Sequence, residues 1–119
     1  NAGYMGLYGG MTVDDIHRKK NLEVGQKILD YMGSTELIAN LFRISQTEEK
    51  LRKDGVDSAD TATAVHYKVG SEVREAIEKI GGTMPEDLPT PEKSIAQLEK
   101  EQLQRLKQQA LDGQLMLDE

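Results

Sequence analysis

Between Met32 and Gly55 the chain reads MGSTELIANLFRISQTEEKLRKDG, and its apolar residues recur at helical spacing. Leu37, Leu41, Ile44 and Leu51 form a stripe that Ile38 and Phe42 widen, while Gln46, Glu48, Glu49, Arg52 and Lys53 fall on the other side. The pattern predicts one amphipathic helix over residues 35–54 with its apolar stripe turned inward. Ser34 is placed to cap it, and Glu36 sets negative charge against the positive end of the helix dipole. Lys50, Arg52 and Lys53 fill the last turn, and Gly55 offers a left-handed stop. A second long pattern runs over 58–80. Ala62, Val65, Val69, Val73, Ala76, Ile77 and Ile80 step by three and four, a narrow seam suited to a neighbouring helix. Gly70 lies beside the seam, and a close approach by the central helix would justify its cost of about 1 kcal/mol against Ala.

The remaining segments are shorter. Gly3 to Gly10, GYMGLYGG, reads as an irregular run whose Tyr and Leu side chains dock on the helices. A phosphate-cradling role would need a strand before it and a Lys-Ser/Thr after it, and neither is there. Thr12 to Asp15 resembles a capping box with Asp in place of Glu, opening a helix to about Lys20 with Val13 and Ile16 inward. A further short helix is expected within Leu22–Met32, ended by Gly33. Gly81-Gly82 stops the second long helix, and Thr83 to Pro91, TMPEDLPTP, is an extended connector pinned by Met84 and Leu88. Thr90-Pro91 then reads as cap and first residue of a last helix over 91–111. Its stripe of Ile95, Leu98, Leu106 and Ala110 is broken by Gln102 and broadened by Leu103 and Leu111. It is either an arm packed on the domain or a seam for a second copy.

Composition narrows the class without naming a function. Aromatic residues are 4% and Trp is absent, so Leu, Ile, Val, Met and Ala must build the core; with 30% charged residues this favours an all-α fold, a compact bundle of about four to five helices. At 119 residues one domain is the default, divided as a helical part over 3–90 and a C-terminal helix and tail over 91–119. Asn1-Ala2 has the look of an expression-tag remnant, and the chain that of a piece of a longer protein. With no cysteine, disulfides and thiolate metal sites are excluded, and a reducing cytoplasm is the expected setting. No apolar run approaches the roughly 20 residues that span a bilayer. The net charge is −6. Residues 1–55 hold eight basic and eight acidic side chains, the rest seven and thirteen, so the acidity lies after Gly55. Such a chain is a poor default binder of a phosphate backbone, although a local basic patch would suffice.

The candidate chemistry is sparse. His17, Arg18, Lys19 and Lys20 form the most basic run; with Lys50, Arg52 and Lys53 they are the candidate nucleic-acid contacts, or else cations favourably placed at helix C-termini. Only His17 and His66 are available as imidazoles, so no metal site, cofactor site or catalytic residue is assigned and no enzyme is expected. On the central helix Glu36 and Asn40, Asn40 and Arg43, and Arg43 and Thr47 each share a face. Asn40, Arg43, Gln46, Thr47 and Glu48 are the candidate interaction surface, with internal hydrogen bonding of Arg43 as the alternative.

Four pieces, GLYGG, KILDYMGSTELIANLFR, QTEEKLRKDGV and GGTMPEDLPTP, carry a family resemblance over about Gly3 to Glu99. The chain resembles the C-terminal half of the bacterial DNA-damage-inducible protein D (DinD) family. The resemblance implies an N-terminal domain of phage-antirepressor type in the full-length protein, a part in the SOS response, and recombinase RecA or another DNA-repair protein as partner, with modulation of RecA filaments rather than catalysis. It assigns no role to single residues. Direct DNA binding and homodimerisation are the alternatives.

Overall fold

Local signals set most of the helix ends. The structure, a computed structural model, describes the backbone of residues 1–117 and the side chains of residues 1–113. It has five α-helices and, among the described residues, no strand: α1 (Ala2–Leu7), α2 (Val13–Lys19), α3 (Ser34–Lys53), α4 (Ala59–Ile80) and α5 (Ile95–Leu117). Single 3-10 turns occupy Ile28–Tyr31 and Pro85–Asp87. The all-α expectation holds. Thr12 and Asp15 close a reciprocal capping box at the start of α2, the Ser58 hydroxyl accepts the Thr61 N–H at the start of α4, and Gly55 and Gly81 take φ of 62° and 86° just past α3 and α4.

Several expectations are corrected. The glycine-rich N-terminal run is helical through Leu7 rather than irregular, with Gly3 and Gly6 as packing residues and Gly9 and Gly10 in the left-handed turn that ends it. A Cβ on Gly70 of α4 would lie 2.6 Å from the Gly3 carbonyl and 2.8 Å from the Leu7 nitrogen, and one on Gly6 would strike the Tyr67 carbonyl. Backbone therefore meets backbone where α1 crosses α4, and it is α1 rather than the central helix that explains Gly70. Leu22–Met32 is a turn followed by a 3-10 turn, not an α-helix, though Ile28 and Met32 are buried. Gly33, not Ser34, is the N-cap of α3, and the final helix begins at Ile95 with the Ser94 hydroxyl accepting the Gln97 N–H, not at Pro91.

The core gathers Leu7, Tyr8, Ile16, Ile28, Met32, Val65, Val69 and Val73. Arg74 ties its edge, donating to the Leu7 carbonyl at 3.1 Å and to the Glu86 carboxylate at 2.6 and 2.8 Å, which fastens the end of α1 and the proline-rich connector to α4. Of the α4 seam, Val65, Val69 and Val73 are buried, whereas Ala76 and Ile80 reach solvent. The largest departure concerns α3. The residues it buries are Glu36, Asn40, Arg43 and Thr47, while Ile38, Leu41 and Phe42 are 65%, 52% and 54% exposed. Leu37, Ala39 and Leu51 are partly buried at its flanks.

Candidate interaction site

The buried row of α3 sits at intervals of four, three and four residues, one straight line along a helix. Each member has an identifiable partner. Lys20, carried past the end of α2, donates to Glu36 Oε1 at 2.9 Å and to the carbonyls of Pro85 at 2.8 Å and Leu88 at 2.5 Å, so its three protons are all engaged. The Tyr8 hydroxyl donates to Glu36 Oε2 and accepts from Asn40 Nδ2 at 3.1 Å. Asn40 also donates to the Glu36 carbonyl, and its side-chain oxygen accepts Arg43 Nε at 3.1 Å. Thr47 closes the row by donating to the Arg43 carbonyl at 2.7 Å. The Arg43 guanidinium lies 4.6 Å from the centre of the Tyr4 ring, a cation–π arrangement. Among the described residues no buried side-chain nitrogen or oxygen lacks a partner.

Burial sets the protonation tendencies here. Desolvation, the hydrogen bond to Glu36 and the Glu36 charge push the Tyr8 phenol far above its usual range. Desolvation lowers Arg43, opposed by Tyr4 and Tyr8. His66 of α4, half-buried, is held below 6.5 by burial, by the Arg43 charge and by the amino terminus, with Glu48 acting against them.

The sequence-derived candidates are therefore dispersed. Asn40, Arg43 and Thr47 belong to the buried row and present no common surface; only Gln46 and Glu48 of that set are exposed. Lys20 is likewise an interior ion-pair partner rather than a nucleic-acid contact. Arg18 and Lys19 are exposed, pairing with Asp15 at 2.6 Å and Asp87 at 3.6 Å, and His17 is half-buried. Arg52 and Lys53 are exposed, and Lys50 pairs with Asp54 at 2.9 Å. Lys20 touches the first turn of α3 and Lys50 lies in its last turns, fourteen residues beyond Glu36, so the two basic groups are about 21 Å apart along the helix. They do not merge.

What α3 does offer is the apolar row expected to face the core. Ile38 and Phe42 of α3, Val73, Ile77 and Ile80 of α4, and Leu88 of the connector border a groove of about 360 Å³. Phe42, Val73 and Ala76 also border a second depression that continues towards Val69 and Lys50. A period-3.6 search locates this row but not its direction.

Fold and site together define a small all-helical domain built on a buried polar spine with an open apolar groove behind it. The chain belongs to the DinD C-terminal domain family, whose model matches residues 1–98. It is similar to DNA damage-inducible protein D of Escherichia coli (strain K12), 61% identical over 99 residues that cover 83% of this chain and 36% of that protein. The chain thus spans about a third of the length of that curated relative. No solved structure matches it. Among the described residues no helix is long and apolar enough to cross a membrane.

Proposed function

We propose that the chain is a non-enzymatic, cytoplasmic interaction domain of a bacterial DNA-damage (SOS) response protein, acting on RecA filaments through the groove between α3 and α4. The observation that carries this reading is the exposure of Ile38, Phe42 and Ile80 along one apolar furrow. Isolated exposed apolar side chains are ordinary, but a lined groove suits the apolar face of a partner helix. The damage-response setting is supported by the 61% identity to a protein named for DNA-damage induction. The test is co-sedimentation of the chain with RecA filaments. Wild type is expected to pellet with them and Phe42→Asp to stay in the supernatant with unchanged circular dichroism. Wild type remaining soluble, or both pelleting alike, removes the groove from this role.

The exposed Leu103, Leu106 and Leu111 of α5 favour a second reading, a homodimer seam. Light scattering with and without residues 91–119 tests it, a monomer in both cases ending it. Direct DNA binding has less support, because the basic groups are separated and the chain carries −6. Polarisation titrations at two salt concentrations would have to weaken steeply with salt for it to stand.

A further inference from the structure

The buried spine carries one more positive charge than negative. Lys20 is matched by Glu36, but Arg43, only 5% exposed, has no carboxylate within 4 Å among the described residues. Its Nε is spent on Asn40, and neither terminal nitrogen of the guanidinium donates a hydrogen bond to any described group. Since no fully buried side-chain nitrogen among the described residues is unpartnered, these terminal nitrogens are the accessible end of a largely buried cation, where a counter-charge is favoured. The fork lies over the Tyr4 ring on one side, and the missing side chain of Gly3 leaves it room, since a Cβ there would collide with it. Beside it opens a cavity of about 450 Å³ between α1, α3 and α4, walled by Tyr4, Leu29, Ile44, Thr63 and His66.

We propose that this cavity binds a carboxylate, received by the two terminal nitrogens of Arg43, with the His66 imidazole that borders the same cavity as a further donor. A planar carboxylate matches a guanidinium fork in a bidentate pair. The apolar faces of Tyr4, Leu29 and Ile44 suit a short hydrocarbon stem and disfavour a dianionic, heavily hydrated phosphate. Thr63 cannot serve as donor, because its hydroxyl donates to the Ala59 carbonyl at 2.9 Å. The carboxylate belongs either to a free small acid or to an acidic side chain of a protein partner. The site lies apart from the groove and does not depend on the function assigned to it.

Asn1 borders the same cavity, so the test uses the N-acetylated chain, in which that residue carries no terminal charge. Ring signals of His66 are followed by NMR during titration with propionate, with a blocked peptide bearing one Asp side chain, with phosphate, and with chloride at equal ionic strength. His17 serves as internal control. Propionate or the peptide is expected to give a saturable shift at His66 alone and to raise its pKa, since a bound anion offsets the Arg43 charge. The tighter of the two identifies the source. Arg43→Lys, which keeps the charge but loses the fork, is expected to weaken binding about tenfold. No saturation, an equal response to chloride, tighter binding of phosphate, or equal binding by Arg43→Lys overturns the proposal. The wild-type titration decides the matter even if Arg43 variants fold poorly.

Discussion

Lys20 and Glu36 are 3% and 1% exposed at their side chains, and each satisfies groups from other parts of the chain. Removing one partner of such a pair strands the other charge in the interior. Lys20→Met is expected to cost about 3–5 kcal/mol in urea unfolding. Lys20→Met combined with Glu36→Gln should cost less than the sum of the single changes, by about 0.5–3 kcal/mol. Strict additivity would mean that the two are not coupled. His66 carries a pH signature of opposite origin. Its pKa is depressed in the folded chain, so below 6.5 the unfolded chain binds more protons than the folded one and stability falls as pH falls. The loss begins near 6.5 and ends once pH passes below the folded value. Denaturation midpoints measured down the pH scale should decline through that window in wild type and less in His66→Gln. An unchanged profile would remove His66 from the acid response.

At the scale of elements, the crossing of α1 over α4 depends on hydrogen where other residues carry a methyl. Gly70→Ala is expected to destabilise by about 1–3 kcal/mol, because backbone must move to admit it. The same change at Gly113 of α5 meets nothing within 4 Å and should raise helicity, by about 1 kcal/mol of propensity. Melting and circular dichroism of the two variants should therefore move in opposite directions. The glycine spacing in GYMGLYGG was visible in the sequence, but Gly marks turns as readily as close contacts, and only the partner Gly70, more than sixty residues away, distinguishes them. The polar row of α3 was visible too, as pairs sharing a face. Its burial was not, because Tyr8, Lys20 and the Pro85 carbonyl that complete it lie on three other segments.

The whole molecule is longer than a compact chain of its size. Its radius of gyration is 18.3 Å and its extents are 62 × 35 × 31 Å, against about 13–14 Å expected for the radius of a compact domain of this length. The 23 residues of α5 make roughly 35 Å of helix. Among the described residues the main packing partner of α5 is the 3-10 turn at Ile28–Tyr31, and most of its described side chains are exposed. Deleting residues 95–119 is expected to shift the unfolding free energy by no more than about 1 kcal/mol while removing helical signal, as measured by urea titration and circular dichroism. A collapse of the remaining fold would show that α5 supports it.

The sequence by itself determined that the chain is helical, where α3 and α4 start and stop, and that the proline-rich stretch separates them from a last helix. Those features arise from caps, glycines and prolines acting within about four residues of one another. Tertiary structure alone decided which side of α3 faces inward. An amphipathic helix with a hydrogen-bonding row beside an apolar one has two faces it can bury, and the choice depends on what the rest of the chain brings to it. Here Tyr8 and Lys20, the latter also bonded to the connector carbonyls, satisfy Glu36 and Asn40, and Ile38 and Phe42 remain at the surface as the lining of a groove.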